Sequence, residues 1–149
     1  MKNLNWLVYH HDFNRDKLEK FNIFDHWKFD EYAKKHLKEI KNKEEFAERI
    51  KSELRYYFWS RTEYEVLIKK ENNRVLMKPW IGRNEDVILD VTEEQDFNWS
   101  CFYDEMIKKY RDCDRWIKID IYEQVMFKFD DFLDYVWSER EMKGEDYES

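Results

Sequence analysis

Glycine, proline and cysteine are scarce in this sequence, whose 149 residues include only two Gly, one Pro and two Cys. Dinucleotide-binding loops, P-loops and the nucleophile elbow of hydrolases each need several glycines, because their tight turns and close backbone approach leave no room for a Cβ atom. The sequence therefore excludes nucleotide sites and nucleophilic sites of those types. Ser52, Ser60, Ser100 and Ser138 stand in predicted helices or at helix ends, and none of them is flanked by glycines.

Long hydrophobic runs and a disulfide framework are also missing. No segment approaches the ~18 consecutive apolar residues of a transmembrane helix, and residues 1–6 lack the apolar core of a secretory signal peptide. Cys101 and Cys113 are too few for a disulfide framework and form no CxxC pair. We therefore expect a cytoplasmic protein that makes no membrane contact.

Basic residues are outnumbered, since 34 Asp and Glu face 27 Lys and Arg and give a net charge of −7. This balance argues against a general nucleic-acid-binding surface, which needs clustered positive charge. A local patch with interleaved aromatic residues is an alternative, because bases stack on aromatic rings. Its candidate residues are Arg55, Arg61, Lys69, Lys70 and Arg74, near Trp59 and Tyr64.

Aromatic residues, in contrast, are abundant, with seven Trp, ten Tyr and eleven Phe. Each buried ring removes roughly 150–250 Å² from water, so we expect a folded chain whose core is built from rings. The four consecutive rings of residues 56–59 point in successive directions around a predicted helix. They cannot all face one buried stripe, so we expect Tyr56 or Trp59 to be at least partly exposed.

Hydrophobic periodicity predicts an α+β fold, in which about four helices pack on a mostly antiparallel sheet. Alternation with period two indicates strands, and recurrence at i, i+3 and i+4 indicates helices. The predicted order is β-β-α-α-β-β-β-α-β-α. Strands are predicted over residues 4–9, 17–24, 62–70, 75–79, 86–91 and 116–122, and helices over residues 26–40, 43–58, 97–112 and 129–141.

The length fits one domain, which we expect to cover residues 1–142. Residues 143–149 show no periodicity and are expected to fray. Asn42 is a predicted helix cap, with Glu45 placed as in half of a capping box. Asn72 and Asn73 fit a tight hairpin turn, because Asn tolerates positive φ angles.

Clusters of histidine and carboxylate are interpreted as polar surface, and we expect no metal, cofactor or catalytic residue. His10, His11 and Asp12 end the first predicted strand, whereas residues 25–26 (Asp-His) follow the second. At opposite ends of a hairpin, these groups would not converge within the ~2.0–2.2 Å of metal ligation. His36, on an apolar helix face, is interpreted as a partly buried ring.

An acidic cluster surrounds the last predicted strand and helix, from Asp120 and Glu123 to Asp134. General acid–base catalysis would need one of these carboxylates to be desolvated, with a shifted pKa. Asp130 and Asp131, at the start of a helix, are explained by the helix dipole alone. We favour this second interpretation.

The surplus of aromatic residues predicts a binding surface, because Trp and Tyr are enriched among interface hot spots. The alternative is that rings cover both faces of the sheet. The aromatic candidates for partner binding are Tyr56, Trp59, Trp80, Trp116 and Trp137.

Four blocks of the sequence together resemble a group of small phage and prophage proteins of Firmicutes. They are residues 21–26 (FNIFDH), 56–66 (YYFWSRTEYEV), 118–126 (KIDIYEQVM) and 132–137 (FLDYVW). In that group a shorter connection joins the second block to the third, so residues 70–115 are expected to be an insertion specific to this chain. The group has no established activity, so the resemblance implies no functional residues.

What the resemblance implies is a biological context. Small acidic proteins of mobile elements often bind and block a host protein, as inhibitors of CRISPR effectors do. Some of them imitate the charge of nucleic acid, which would make Asp130, Asp131 and Asp134 candidates for partner binding here. We therefore expect an anti-defence inhibitor that acts in the bacterial cytoplasm on a host defence protein, and self-association is a further expectation. The alternatives are a protein that binds or hydrolyses a small molecule or nucleotide signal, using Arg55, Arg61 or Arg111, and a nucleic-acid-associated accessory protein.

Overall fold

The structure is a computed structural model that describes residues 6–23, 39–59, 61–82, 86–111 and 115–147. Within these residues the chain is an α+β protein with antiparallel sheets, as predicted. The strands are β1 (Leu7–Asp12), β2 (Lys17–Asn22), β3 (Glu65–Glu71), β4 (Arg74–Pro79), β5 (Leu89–Asp90) and β6 (Ile117–Asp120). The helices are α1 (Lys43–Phe58), α2 (Trp99–Tyr110), α3 (Ile121–Phe127) and α4 (Phe129–Tyr147), and a 3₁₀ turn, Thr62–Tyr64, precedes β3. The predicted helix over residues 26–40, with His36, lies outside the described residues except for its last two positions.

The strands form two sheets. β1 and β2 make a two-stranded sheet, and the other strands form a four-stranded sheet in the order β5-β4-β3-β6, with every pair antiparallel. The β3–β4 hairpin turns through Asn72 and Asn73, whose φ angles are 51° and 64°. Two successive positive φ angles match the twist of the flanking strands, and Asn tolerates them better than most residues. The predicted turn is confirmed.

The four-stranded sheet has an inner face that belongs to the core. Val66 and Ile68 of β3 pair with Ile119 and Ile117 of β6, and all four side chains are buried. Met77 of β4, opposite Ile68, is also buried. Successive strand residues point to opposite faces, so the residues between these positions form an outer face.

Aromatic rings fill much of the core, as expected from the composition. The Trp6 ring meets the rings of Phe97 and Phe132 edge-on, at centroid distances of 6.3 and 5.1 Å. Tyr9 and Trp99 pack at 5.5 Å. Edge-on contacts place the positive edge of one ring against the negative face of the other.

Helix α1 begins at its predicted cap. The side-chain oxygen of Asn42 accepts hydrogen bonds from the backbone N–H groups of Glu44 (2.8 Å) and Glu45 (3.3 Å), which satisfies two donors that the first turn leaves unpaired. Its buried stripe is Phe46, Ile50, Leu54 and Phe58. No helix in the described part of the chain is both long enough and apolar enough to cross a membrane.

The predicted strand over residues 116–122 was too long, because a helix begins inside it. The Asp120 carboxylate accepts a hydrogen bond from the Glu123 backbone N–H (2.9 Å) and caps α3. Ile121 is buried and continues the apolar alternation of the strand, although it already belongs to the helix. The last helix continues to Tyr147, so its predicted end at residue 141 was also wrong.

A side chain from α3 closes the free edge of β1. The Ile23 backbone N–H donates to the Trp6 carbonyl (2.9 Å). Because backbone groups alternate in direction along a strand, Trp6 faces β2 and Tyr9 faces away from it. The Gln124 amide bonds both Tyr9 groups: its Oε1 accepts from the N–H (3.0 Å) and its Nε2 donates to the carbonyl (3.2 Å). Gln124 therefore takes the place of a neighbouring strand at this position.

Candidate functional site

Two highly exposed aromatic side chains lie at the C-terminal end of α1. Tyr56 is 79% exposed, and Trp59, the C-cap residue, is 73% exposed. Residues three apart on a helix are surface neighbours, so the two rings share one side of the helix. Tyr57 is half-buried and Phe58 is buried. The expected exposure is confirmed, and we call Tyr56 and Trp59 the helix-end pair.

The basic residues next to the helix-end pair are partly engaged by the protein itself. The Arg61 guanidinium lies 4.7 Å from the centroid of the Tyr57 ring and 5.8 Å from that of Tyr64. Lys70 forms an ion pair with Asp104 of α2 at 3.6 Å. These two members of the predicted basic patch thus have partners within the fold.

Trp80 and Trp116 lie at the outer face of the four-stranded sheet. Each ring makes a cation–π contact with a lysine from the other side of β3. The Lys118 ammonium is 4.7 Å from the Trp80 ring centroid, and the Lys78 ammonium is 4.5 Å from that of Trp116. Both lysines lie opposite Leu67 of β3. The two cation–π contacts therefore cross the central strand, and we call these five residues the lysine–tryptophan face.

Carboxylates beside this face offset much of its positive charge. Glu65 pairs with Lys118 at 3.4 Å, and Glu71 lies 4.0 Å from Lys69. The Lys69 ammonium also lies 5.9 Å from the Trp116 ring centroid. The face is therefore an aromatic surface with mixed charge.

The remaining predicted binding residues lie on α4. Asp130, Asp131 and Asp134 are exposed, and Asp134 forms an ion pair with Lys43 at the start of α1. Trp137 is half-buried, and its ring packs edge-on against Phe46 at 5.1 Å. The predicted residues are thus divided among the end of α1, the outer face of the sheet, and α4.

His10 and His11 are part of the fold around β1. His11 is buried, and its Nε2 lies 2.8 Å from Asp16 Oδ1. Gly82 packs against this pair so closely that a Cβ atom there would lie 2.6 Å from the same oxygen. Burial lowers the pKa of His10. Residues 25–26 lie outside the described residues. Within the described part of the chain, no three His, Cys, Asp or Glu side chains converge on a metal position.

A groove of about 480 Å³ follows the edge of β6 with which no strand of the described residues pairs. Consecutive residues from Arg115 to Asp120 form one wall, and Tyr110, Glu123 and Glu65 border the remainder. The sequence does not predict this groove, because its walls come from α2, β3, β6 and α3. Its lining among the described residues does not include the three arginines predicted for a small-molecule pocket.

The Glu123 carboxylate borders the groove. Its Oε1 accepts hydrogen bonds from Lys109 Nζ (3.3 Å) and Tyr110 Oη (3.3 Å). Its Oε2 is buried and finds no hydrogen-bond partner within the part of the chain that the structure describes. Burial raises the pKa of Glu123, and the nearby Asp120 charge acts in the same direction. The only sequence signal for this group is the acidic cluster that includes Asp120 and Glu123.

No protein-family model matches the chain, and neither a curated protein nor a solved structure matches it. The structure itself provides three distinct surfaces: the helix-end pair, the lysine–tryptophan face and the groove beside β6. Each of them is formed by residues that the structure describes.

Proposed function

We propose that this chain is a phage- or prophage-encoded accessory protein that binds and blocks a host defence protein without catalysing a reaction. The helix-end pair forms the centre of its contact surface. The observation that carries this proposal is the exposure of Tyr56 (79%) and Trp59 (73%) on one side of α1.

A partner that covers these exposed rings gains free energy from their burial. Burial of apolar surface contributes roughly 25 cal/mol per Å², and Trp and Tyr dominate interface hot spots because their rings bury large areas. The exposed Arg55 lies beside Tyr56 in the chain, which fits the polar rim that surrounds an apolar interface centre.

The phage origin and the defence-related target rest on the resemblance to phage and prophage proteins. The second of the four similar blocks, residues 56–66, contains Trp59 and begins at Tyr56. The resemblance and the exposure therefore concern the same segment, which supports a role for this segment in the biological activity.

The test compares the wild-type chain with the Tyr56→Ala/Trp59→Ala double variant. We expect a bacterial host that carries a defence system to become phage-sensitive when it expresses the wild-type chain. The double variant should restore resistance and lose the host protein that co-purifies with the wild type. Glu48→Ala, at an exposed position on the same helix, is the matched control and should behave as wild type. Equal activity of the double variant and the wild type would show that the helix-end pair is not part of the contact surface.

The lysine–tryptophan face supports a second candidate function, which is binding of single-stranded nucleic acid. Trp80 is 44% exposed and is placed beside lysines on an open sheet face, and bases stack on such rings. Because carboxylates offset much of the positive charge of the face, we expect weak binding. Retention on single-stranded DNA at low salt, lost in Lys78→Ala/Lys118→Ala, would support it, and absence of retention at low salt would exclude it.

A further inference from the structure

We infer that the groove beside β6 receives an extended peptide strand of a partner protein, and that this strand carries a basic side chain. The strand would extend the four-stranded sheet by pairing with its free edge. Because the groove and the helix-end pair consist of different residues, either interaction can fail while the other persists.

The orientation of the backbone along β6 follows from the hydrogen bonds of the sheet. The Trp80 backbone N–H donates to the Glu65 carbonyl (3.3 Å), so Glu65 and Leu67 direct their backbone groups to β4. The intervening Val66 therefore faces β6, where it pairs with Ile119. By alternation, the N–H and carbonyl of Lys118 point away from the sheet and into the groove.

The backbone of Lys118 therefore offers one donor and one acceptor to an added strand. Among the described residues, β6 is an edge of the four-stranded sheet, and an edge strand with unpaired backbone groups is a template for strand addition. Backbone hydrogen bonds give affinity in such complexes, whereas alternate side chains give specificity. The groove of about 480 Å³ provides space for a short extended segment.

The charge at the border of the groove favours a basic side chain on the added strand. The Glu123 carboxylate accepts hydrogen bonds on Oε1, and its Oε2 is buried, so this group acts on the groove through its charge. Glu65 and Asp120 border the same groove, and these three carboxylates face two cations, Arg115 and Lys118. A lysine or arginine of the partner would offset this excess of negative charge, and charge-assisted hydrogen bonds to carboxylates are the stronger ones.

The experiment uses the full chain and a capped synthetic peptide, Thr-Val-Thr-Lys-Thr-Val-Thr, whose β-branched residues favour an extended backbone. We expect addition of the peptide to shift the Lys118 amide resonance in a saturable manner and to slow its hydrogen exchange. The same peptide with Glu in place of Lys should bind several-fold more weakly. No saturable change at Lys118 up to the solubility limit of the peptide would overturn the inference.

Variants of the chain separate backbone pairing from side-chain contact. Lys118→Ala keeps the backbone N–H, whereas Lys118→Pro removes it at an edge position where proline is tolerated. We expect the alanine variant to retain binding of the Lys peptide and the proline variant to lose it, with circular dichroism spectra unchanged. Glu123→Gln should reduce the preference for the Lys peptide over the Glu peptide.

Two other results would also overturn the inference. If the free chain forms a dimer in which the Lys118 amide is already protected, the edge belongs to a second copy. If the peptide instead shifts the resonances of Tyr56 and Trp59, the groove is not its site. The Tyr56→Ala/Trp59→Ala variant should bind the peptide as wild type does, which keeps this result independent of the proposed function.

Discussion

The edges of β1 and β6 differ in whether the protein bonds their backbone groups. On β1, the Gln124 amide pairs with both backbone groups of Tyr9 at 3.0 and 3.2 Å. On β6, the backbone groups of Lys118 face a groove, and in the described residues no strand pairs with that edge. Both edges depend on one short stretch of chain, because β6 and α3 follow each other directly.

Burial explains why the β1 edge needs a bonding partner and the β6 edge does not. Tyr9 and Gln124 are fully buried, and an unpaired backbone group in the interior costs a desolvation penalty that water cannot offset. Lys118 is exposed, so water can bond its backbone groups at little cost. An edge that water satisfies can exchange that water for a partner, whereas the β1 edge cannot do so without opening the core.

A substitution that removes the Gln124 amide from the β1 edge should cause the greatest loss of stability. Gln124→Leu preserves much of the side-chain volume but leaves both Tyr9 backbone groups unpaired and buried. We expect the free energy of unfolding to fall by about 2–6 kcal/mol, since each of the two groups costs about 1–3 kcal/mol. Urea denaturation followed by tryptophan fluorescence measures this loss.

The open edge supplies the control for that measurement. Lys118→Ala removes an exposed side chain and its contacts with Glu65 and Trp80, and exposed contacts of these kinds contribute about 1 kcal/mol or less. Its free energy of unfolding should therefore remain within about 1 kcal/mol of the wild type. Equal losses in the two variants would show that the edges do not differ.

The fold was largely predictable from local patterns. The alternation of Val66 and Ile68 marks β3, and Asn72 and Asn73 specify its turn. The end of β6 was not predictable from alternation, because Ile121 keeps the strand pattern while the Asp120 cap starts a helix. A capping side chain decided between two structures that the apolar pattern alone does not distinguish.

The surfaces were predictable to different degrees. The exposure at Tyr56 and Trp59 follows from counting directions around one helix, which is a local argument. The pairing of Gln124 with Tyr9 joins residues 115 positions apart, and the groove beside β6 combines several elements. Such features depend on tertiary packing, so no local period of the sequence encodes them.

Hydrogen exchange of the wild-type chain compares the backbone amides of Tyr9 and Lys118 directly. The Tyr9 amide is buried and bonded to Gln124, so it exchanges only when the structure opens, whereas the Lys118 amide is accessible in the folded state. We expect exchange of the Tyr9 amide to be slower by a factor of at least about 100. Similar rates, measured by NMR in the absence of any partner, would contradict the assignment of one closed and one open edge.

The smallest expected effect concerns the charge beside the open edge. Burial raises the pKa of Glu123 above its ordinary value of 4.5, so the folded state binds the proton more tightly than the unfolded state does. Wild-type stability therefore decreases as the pH rises from about 4.5 through the folded pKa. Glu123→Gln removes this titration, so its stability relative to the wild type should increase over that interval and stay constant below it. Urea denaturation of both proteins between pH 4 and 8 measures the difference in the free energy of unfolding. If the stability of the variant relative to the wild type decreased with rising pH, the pKa-lowering effect of Lys109 and Tyr110 on Glu123 would outweigh the effect of burial.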